Sequence, residues 1–332
     1  MKYNKIDSSL FIKNRKNFIK KLEPNSIAFF NSNDIYPVSA DSTLPFEQHR
    51  DIFYLSGIDQ EESILVLFPD SKKNSFKEML FIRETNDHIT HWEGEKLTKE
   101  KAKDISGINN IYWTNEFKDI LIQLIKQSEN VYINTNEHYR QNVETQTRED
   151  RFIEELKKIG GINFKKSNPI LQKQRSIKDE IEIRLIEHAC NITRKGFERV
   201  LKFVKPGVWE YEIEAEFSHE FLKNRSKKFA YSPIIASGRN SNFLHYIDNN
   251  RQCLDGEIVL MDVAAEYANY SSDMTRTIPV NGKFSDRQKI IYNAVLNVKN
   301  EATSLLRPGV LWKDYHIEVG KIMTSELLRI KL

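Results

Sequence analysis

Cysteine is almost missing from this chain, with Cys190 and Cys253 the only two among 332 residues. Two thiols cannot build a disulfide framework, and they lack the spacing of a metal finger. This points to a reducing compartment, and the cytoplasm is the expected address. Long apolar runs are also missing. None approaches the roughly 18 residues of a membrane span, and mean hydropathy is -0.56. The N-terminal stretch "MKYNKIDSSLFIKNRKNFIKKLEPNS" has no apolar h-region and no small-residue cleavage site, so it does not read as a secretory signal. It reads as an amphipathic helix opening at Ser8 or Ser9. A strong charge of one sign is missing too: 50 basic against 47 acidic residues leave a net charge of +3. Lys72-Lys73, Lys165-Lys166 and Lys227-Lys228 read as solvated surface, and no basic stripe carries interleaved aromatics. Neither nucleic acid nor membrane is an expected partner.

What is present suits a globular protein of two domains: 39% apolar and 29% charged residues over 332 positions. In the first half, "SIAFFN" (26–31), "SILVLF" (63–68), "EMLFI" (78–82) and "NVYIN" (130–134) have strand length and β-forming composition. Helical patterns cover 9–23, 115–127 and 147–159. The alternation predicts an α/β domain over residues 1–170, closed by Gly160-Gly161 and a proline-containing linker. A second domain, 171–332, opens with a helix over 179–204 whose Ile183, Ile186, Ala189, Cys190 and Thr193 recur at helical spacing. A helix from Trp209, strand-like runs at 230–236, 257–265 and 270–280, and a helix N-capped at Ser285-Asp286 follow.

This half repeats itself. "KPGV" at 205–208 and "RPGV" at 307–310 each end a long helix, and each is followed by Trp, an acidic residue and Tyr before another helix. Only the first copy goes on to strands. The expectation is a second domain that is incomplete within these residues.

Asp262 and Asp273 sit in otherwise apolar runs, in "EIVLMDVAAEYANYSSDMTRTIPVNG". A hairpin centred on Tyr267-Ala268 would put the two directly opposite, about 5 Å apart at Cβ. Like charges there push one carboxyl to hold a proton, or they share a cation. Hard divalent ions take carboxylate oxygens. Asp often marks turns instead, and Asp255-Gly256 fits that reading. Asp262, between "IVLM" and "VAA", does not. His245 lies just upstream in "SGRNSNFLHYIDNN" and is a candidate for the rim of the same site. His188, His219 and His316 fall on predicted helices, and His88 and His91 are expected to flank a loop.

These residues resemble a known family. "SPIIASGRNSNFLHYIDNN…LDGEIVLMDVAAEYANYSSDMTRTIPVNGKFSDRQKIIYNAVL" is similar to the aminopeptidase P (Xaa-Pro aminopeptidase) group of pita-bread metallopeptidases. "FEQHRDIFYLSGIDQEESILVLF" and "HWEG" (91–94) resemble its N-terminal domain. The resemblance implies an α/β N-terminal domain and an α+β pita-bread (creatinase/aminopeptidase-like) C-terminal domain. It implies a site for two Mn²⁺ ions, with other divalent ions as options, that removes an N-terminal residue preceding proline. Asp262 and Asp273 match its two aspartate ligands, Asp273 being the bridging one. His245 matches a catalytic histidine on the substrate side. A further His and two Glu ligands would lie beyond Leu332, so the segment alone is expected to be inactive. The resemblance also implies a peptide substrate and a homo-oligomer, dimer or tetramer. Xaa-Pro dipeptidase (prolidase), or a non-catalytic peptide-binding scaffold of the same fold, are the alternatives.

Overall fold

A computed structural model describes residues 3–138 and 144–332. The chain packs as two compact units, Tyr3–Leu185 and Ile186–Leu332. The boundary read from sequence, 170/171, falls in a helix of the first unit, Asn168–Arg175.

In chain order the first unit comprises α1 (Ser8–Ile19), β1 (Ser26–Asn31), β2 (Pro37–Ser39), β3 (Ser42–Thr43), α2 (Arg50–Ser56), β4 (Ile64–Leu67), β5 (Glu78–Ile82), α3 (Asp87–Glu93) and α4 (Lys99–Ser106). Then follow β6 (Asn110–Trp113), α5 (Phe117–Ile125), β7 (Asn130–Ile133), α6 (Arg148–Ile159), β8 (Asn163–Lys166) and α7 (Asn168–Arg175). Six strands form one mixed sheet in the order β6-β5-β4-β1-β7-β8. Every residue of β1 is buried, as expected of a central strand covered on both faces. Its side chains alternate between two cores. Ala28 and Phe30 join Phe18, Ile52 and Ala102 on one face. Ile27 and Phe29 join Phe117, Leu121 and Phe152 on the other.

The expected strands and helices are present, with shifted ends. α1 is capped by Asp7, whose carboxylate accepts the Ser9 N–H at 2.9 Å; it opens at Ser8, one of the two expected starts, and ends at Ile19, short of the expected 23. The structure adds elements that periodicity did not reveal. β6 and β8 carry half-exposed or exposed residues, so neither offers an apolar run. α2 is buried from Asp51 to Ser56, which erases the amphipathic signal of a surface helix. His88 and His91 lie on α3 and do not flank a loop.

Arg15 ties this unit together. Its side chain is almost wholly buried, and one guanidinium nitrogen donates to the Leu55 carbonyl at 2.8 Å and to the Ser106 carbonyl at 3.0 Å. Those carbonyls end α2 and α4, where unpaired acceptors and the helix dipole favour a cation. Its Nε donates to Glu78 at 3.2 Å.

The second unit is built from most of α8 (Glu180–Phe203), then α9 (Glu210–Lys223), β9 (Ile234–Ser237), β10 (Ile258–Val263), β11 (Glu266–Tyr267), β12 (Tyr270–Ser271), β13 (Met274–Pro279), α10 (Asp286–Leu305) and α11 (Trp312–Arg329). Three strands pair antiparallel in the order β13-β10-β9. β10 alternates: Val259, Met261 and Val263 are buried, while Ile258, Leu260 and Asp262 are half-buried. α8 approaches α9 closely at Gly196, where a Cβ would lie 2.8 Å from the rings of both Phe217 and Phe221. The sequence repeat has a structural echo. Gly207 (φ 97°) and Gly309 (φ 90°) both adopt left-handed turns. Behind them Trp209 stacks on Tyr211 and Trp312 on Tyr315, with ring centroids 5.6 and 5.2 Å apart.

Replacing Arg15 by Met leaves two helix ends and Glu78 without their shared donor. We expect a loss of about 3 kcal/mol, the scale of a broken buried ion pair, read as a lower thermal midpoint. An unchanged midpoint would show that Arg15 carries no such load.

Candidate metal centre

The turn that joins the aspartate-bearing strands is Ala268-Asn269, both left-handed at φ 52° and 65°. Two consecutive left-handed residues match the twist of an antiparallel pair and make a two-residue hairpin loop. β11 and β12 pair across it, Tyr267 with Tyr270 and Glu266 with Ser271. The register continues to Val263 with Met274 and Asp262 with Thr275. This corrects the expected pairing: Asp262 faces Thr275, not Asp273. The expected loop was centred one residue early, which moves the partner by two positions. A shift of two keeps each side chain on its face, so Asp262 and Asp273 remain diagonal neighbours on one side of the sheet.

They meet at Tyr231. Its hydroxyl donates to Asp262 Oδ1 in a short hydrogen bond and lies 3.2 Å from Asp273 Oδ1. One proton thus stands between two carboxylates. Burial pushes the Tyr231 phenol well above the ordinary tyrosine range, and its hydrogen bond to Asp262 and the charge of Asp273 add to this. Asp273 is exposed and Asp262 half-buried, so the pair faces solvent.

Helix α8 holds the far end of the hairpin. The buried Thr193 hydroxyl accepts the Ala265 N–H at 2.9 Å and lies 2.7 Å from the Ser272 hydroxyl, which donates to the Ala265 carbonyl at 3.1 Å. Ala265 and Ser272 flank the turn between the two aspartates, so this contact fixes the backbone next to Asp273.

His245 sits exposed in a turn of the segment from Gly238 to Asn250. The structure brings the two aspartates together through Tyr231 and does not bring His245 into that contact. Among the described residues no group of three or more His, Cys, Asp or Glu side chains is placed to hold a metal. The donors that do converge, two carboxylates on one solvent-facing point, suit a hard divalent cation. Sequence reasoning missed Tyr231, Thr193 and Glu210, a buried residue of α9 discussed below. A lone Tyr has no periodic signature, and the helical spacing that includes Thr193 does not show what its hydroxyl bonds. For Glu210 a trace existed: Glu214 follows it one helical turn later, and two like charges on one helix face disfavour each other unless donors meet them.

The Tyr231 arrangement is testable by titration. The phenol ionises late because burial disfavours the phenolate, which beside the two carboxylates would also be a third negative charge. Stability from its proton is therefore present below the unfolded tyrosine value, about 10, and is lost as pH rises toward the folded one. Removing a charge by Asp273→Asn is expected to lower the Tyr231 pKa, while burial and Asp262 still hold it above the ordinary tyrosine range. Ultraviolet titration checks this, with Tyr231→Phe identifying the signal. No change would mean that Asp273 does not act on the phenol.

Comparison with known proteins agrees with this architecture. The metallopeptidase family M24 profile matches residues 184–331, and the profile of the aminopeptidase P N-terminal domain matches residues 11–132. Xaa-Pro aminopeptidase from Haemophilus influenzae is 32% identical over 98% of this chain and 73% of its own length. The Escherichia coli Xaa-Pro aminopeptidase is 30% identical over 98% of this chain and 74% of its own. The structure of Pseudomonas aeruginosa aminopeptidase PepP superposes with a TM-score of 0.90 at 29% identity, over 98% of this chain and 74% of that one. That of E. coli aminopeptidase P with the inhibitor Pro-Leu gives 0.88 at 29% identity, with the same coverage. With an aminopeptidase P N-terminal domain ahead of a pita-bread domain that presents paired carboxylates, the chain belongs to the Xaa-Pro aminopeptidase (aminopeptidase P) family of M24 metallopeptidases.

Proposed function

We propose that this chain acts in metal-dependent removal of the N-terminal residue from peptides with proline in second position. The observation that carries the reading is the convergence of Asp262 and Asp273 on the Tyr231 hydroxyl. In this reading Asp262 and Asp273 would be two of the carboxylates that hold a divalent pair, Asp273 matching the ligand that the resemblance implies is shared. Mn²⁺ is the proposed ion because carboxylate oxygens suit it. Such ions polarise a scissile carbonyl and lower the pKa of water for attack on it. The Tyr231 hydroxyl meets Oδ1 of each carboxylate, and Oδ2 of each would be the oxygen offered to an ion. His245 is assigned to the substrate side, where its imidazole would donate to the oxyanion that develops on the scissile carbonyl.

Two carboxylates alone hold a cation weakly. We therefore propose that turnover needs the further His and two Glu ligands that the resemblance implies, and that these 332 residues by themselves are inactive. We also propose a peptide as the partner, a dimer or tetramer as the assembly, and the cytoplasm as the location. The small net charge of +3 and the two free cysteines support a partner other than nucleic acid and a reducing compartment. Among the described residues no helix is long and apolar enough to cross a membrane.

Mn²⁺ binding followed by electron paramagnetic resonance tests the ligand assignment. Asp262→Asn and Asp273→Asn should each weaken binding about tenfold or more, one lost ligand being worth at least 1.4 kcal/mol. Equal binding in both variants would remove the aspartates from the site. Mn²⁺ with a tripeptide of Xaa-Pro-Xaa type should give only trace release of the first residue by the 332-residue chain. Robust turnover would overturn the inactivity, and a preference for an Xaa-Pro dipeptide would favour the prolidase alternative.

A further inference from the structure

The segment that carries His245, residues 238–250, has little apolar anchorage at its tip: Phe243, Leu244 and Ile247 are 61%, 90% and 56% exposed. Something else must hold it. That role falls to Glu210 in the first turn of α9, a carboxylate with no solvent exposure. Its Oε1 accepts the Ser237 N–H at 2.6 Å, the Ser237 hydroxyl at 2.7 Å and, more weakly, the Asn240 amide at 3.4 Å. Its Oε2 accepts the Tyr246 hydroxyl at 2.7 Å and the Arg251 N–H at 2.9 Å. Ser237 and Arg251 flank the segment on its two sides, and Tyr246 is the residue next to His245. One buried carboxylate therefore closes the loop at its base and pins it beside the histidine.

The surroundings reinforce this. One turn along α9, Glu214 accepts the Asn249 amide at 2.9 Å, while Asn249 Oδ1 accepts the Ile235 N–H at 3.0 Å. The Arg251 guanidinium donates to the Ser237 hydroxyl at 3.0 Å and forks onto Glu257 at 2.7 and 2.6 Å. That fork fills the space beside Gly238 (φ 51°), where a Cβ would lie 2.4 Å from Glu257 Oε1. Asn240, Tyr246 and Arg251 also wall an open cavity of about 690 Å³. The Tyr246 phenol is pushed above its ordinary range by burial and by its bond to Glu210.

We infer that Glu210 is a positioning residue for His245: five donors converge on its buried carboxylate and fix where the histidine's loop can stand. The inference rests on the reading of His245 as a substrate-side residue. With both oxygens saturated, Glu210 has no lone pair left to offer a metal or a substrate, so it acts only through the loop. A neutral amide in its place presents N–H groups to the N–H and O–H donors of Ser237, Tyr246 and Arg251, and the clasp opens.

Hydrogen exchange by mass spectrometry on the 332-residue chain tests the clasp. Glu210→Gln should raise exchange across 238–251 at least tenfold while leaving β10 and β13 at wild-type rates. It should also bring the Tyr246 phenol titration back toward an ordinary tyrosine, which general loosening would not do selectively. Tyr246→Phe, which deletes one leg and keeps the carboxylate, should give a smaller rise in the same segment, and it carries the test if Glu210→Gln does not fold. Unchanged exchange in 238–251, or an equal rise in β10 and β13, would overturn the inference. Binding of Ala-Pro-Ala with Mn²⁺ present supplies the second readout. His245→Ala and Glu210→Gln should each weaken it at least tenfold. A freed loop with wild-type binding in Glu210→Gln, alongside weakened binding in His245→Ala, would overturn the positioning role. Wild-type binding in both variants would instead sink the reading of His245, leaving the clasp supported by exchange alone.

Discussion

The register of one antiparallel ladder governs the site. Because side chains alternate faces along a strand, Asp262 and Asp273 share a face only if the hairpin closes with the right parity. The two-residue turn at Ala268-Asn269 sets that parity. Thr193 then keeps it from outside, by bonding to Ala265 and Ser272 where the ladder passes from β10 and β13 to β11 and β12. A slip by one residue would send one aspartate into the apolar layer that holds Val259, Met261 and Val263. The metal reading, the Tyr231 contact and the late ionisation of its phenol all depend on this one constraint.

A second theme is the use of single buried charges as fasteners. Arg15 in the first unit gathers carbonyl acceptors from the ends of two helices. Glu210 in the second gathers donors from both ends of a loop. The physics is the same with the sign reversed. Desolvating a charge is costly, and several well-placed partners of opposite polarity offset that cost. Each fastener therefore specifies the backbone around it more tightly than apolar contacts could, since apolar contacts have no direction.

Much of the fold was legible because burial leaves a pattern. The continuous apolar run of β1 announced a central strand, and Ser285-Asp286 announced the start of α10, where the Ser285 hydroxyl indeed accepts the Gln288 N–H. β6 and β8 were not legible, since edge strands with half-exposed faces carry no apolar run. The six-residue core of α2 was hidden for the opposite reason, being buried on all sides. At the site, the two aspartates stood out as charges in apolar strands, and His245 stood out by the motif around it. Tyr231 did not, because its importance lies in where its hydroxyl points.

The sequence by itself determined which residues could do chemistry and which family they belong to. Residue type and local spacing suffice for that: carboxylates inside apolar strands, Pro-Gly stops between helices, and motif runs long enough to be specific. Tertiary structure alone decided how those residues meet. The aspartate pairing moved by two positions because the turn's left-handed residues, not the centre of the apolar pattern, set where the chain reverses. The partners that complete the arrangement, Tyr231 for the aspartates and Glu210 for the His245 loop, come from 31 and 36 residues away along the chain. Local pattern holds no record of contacts over such separations, because they exist only once the core has packed.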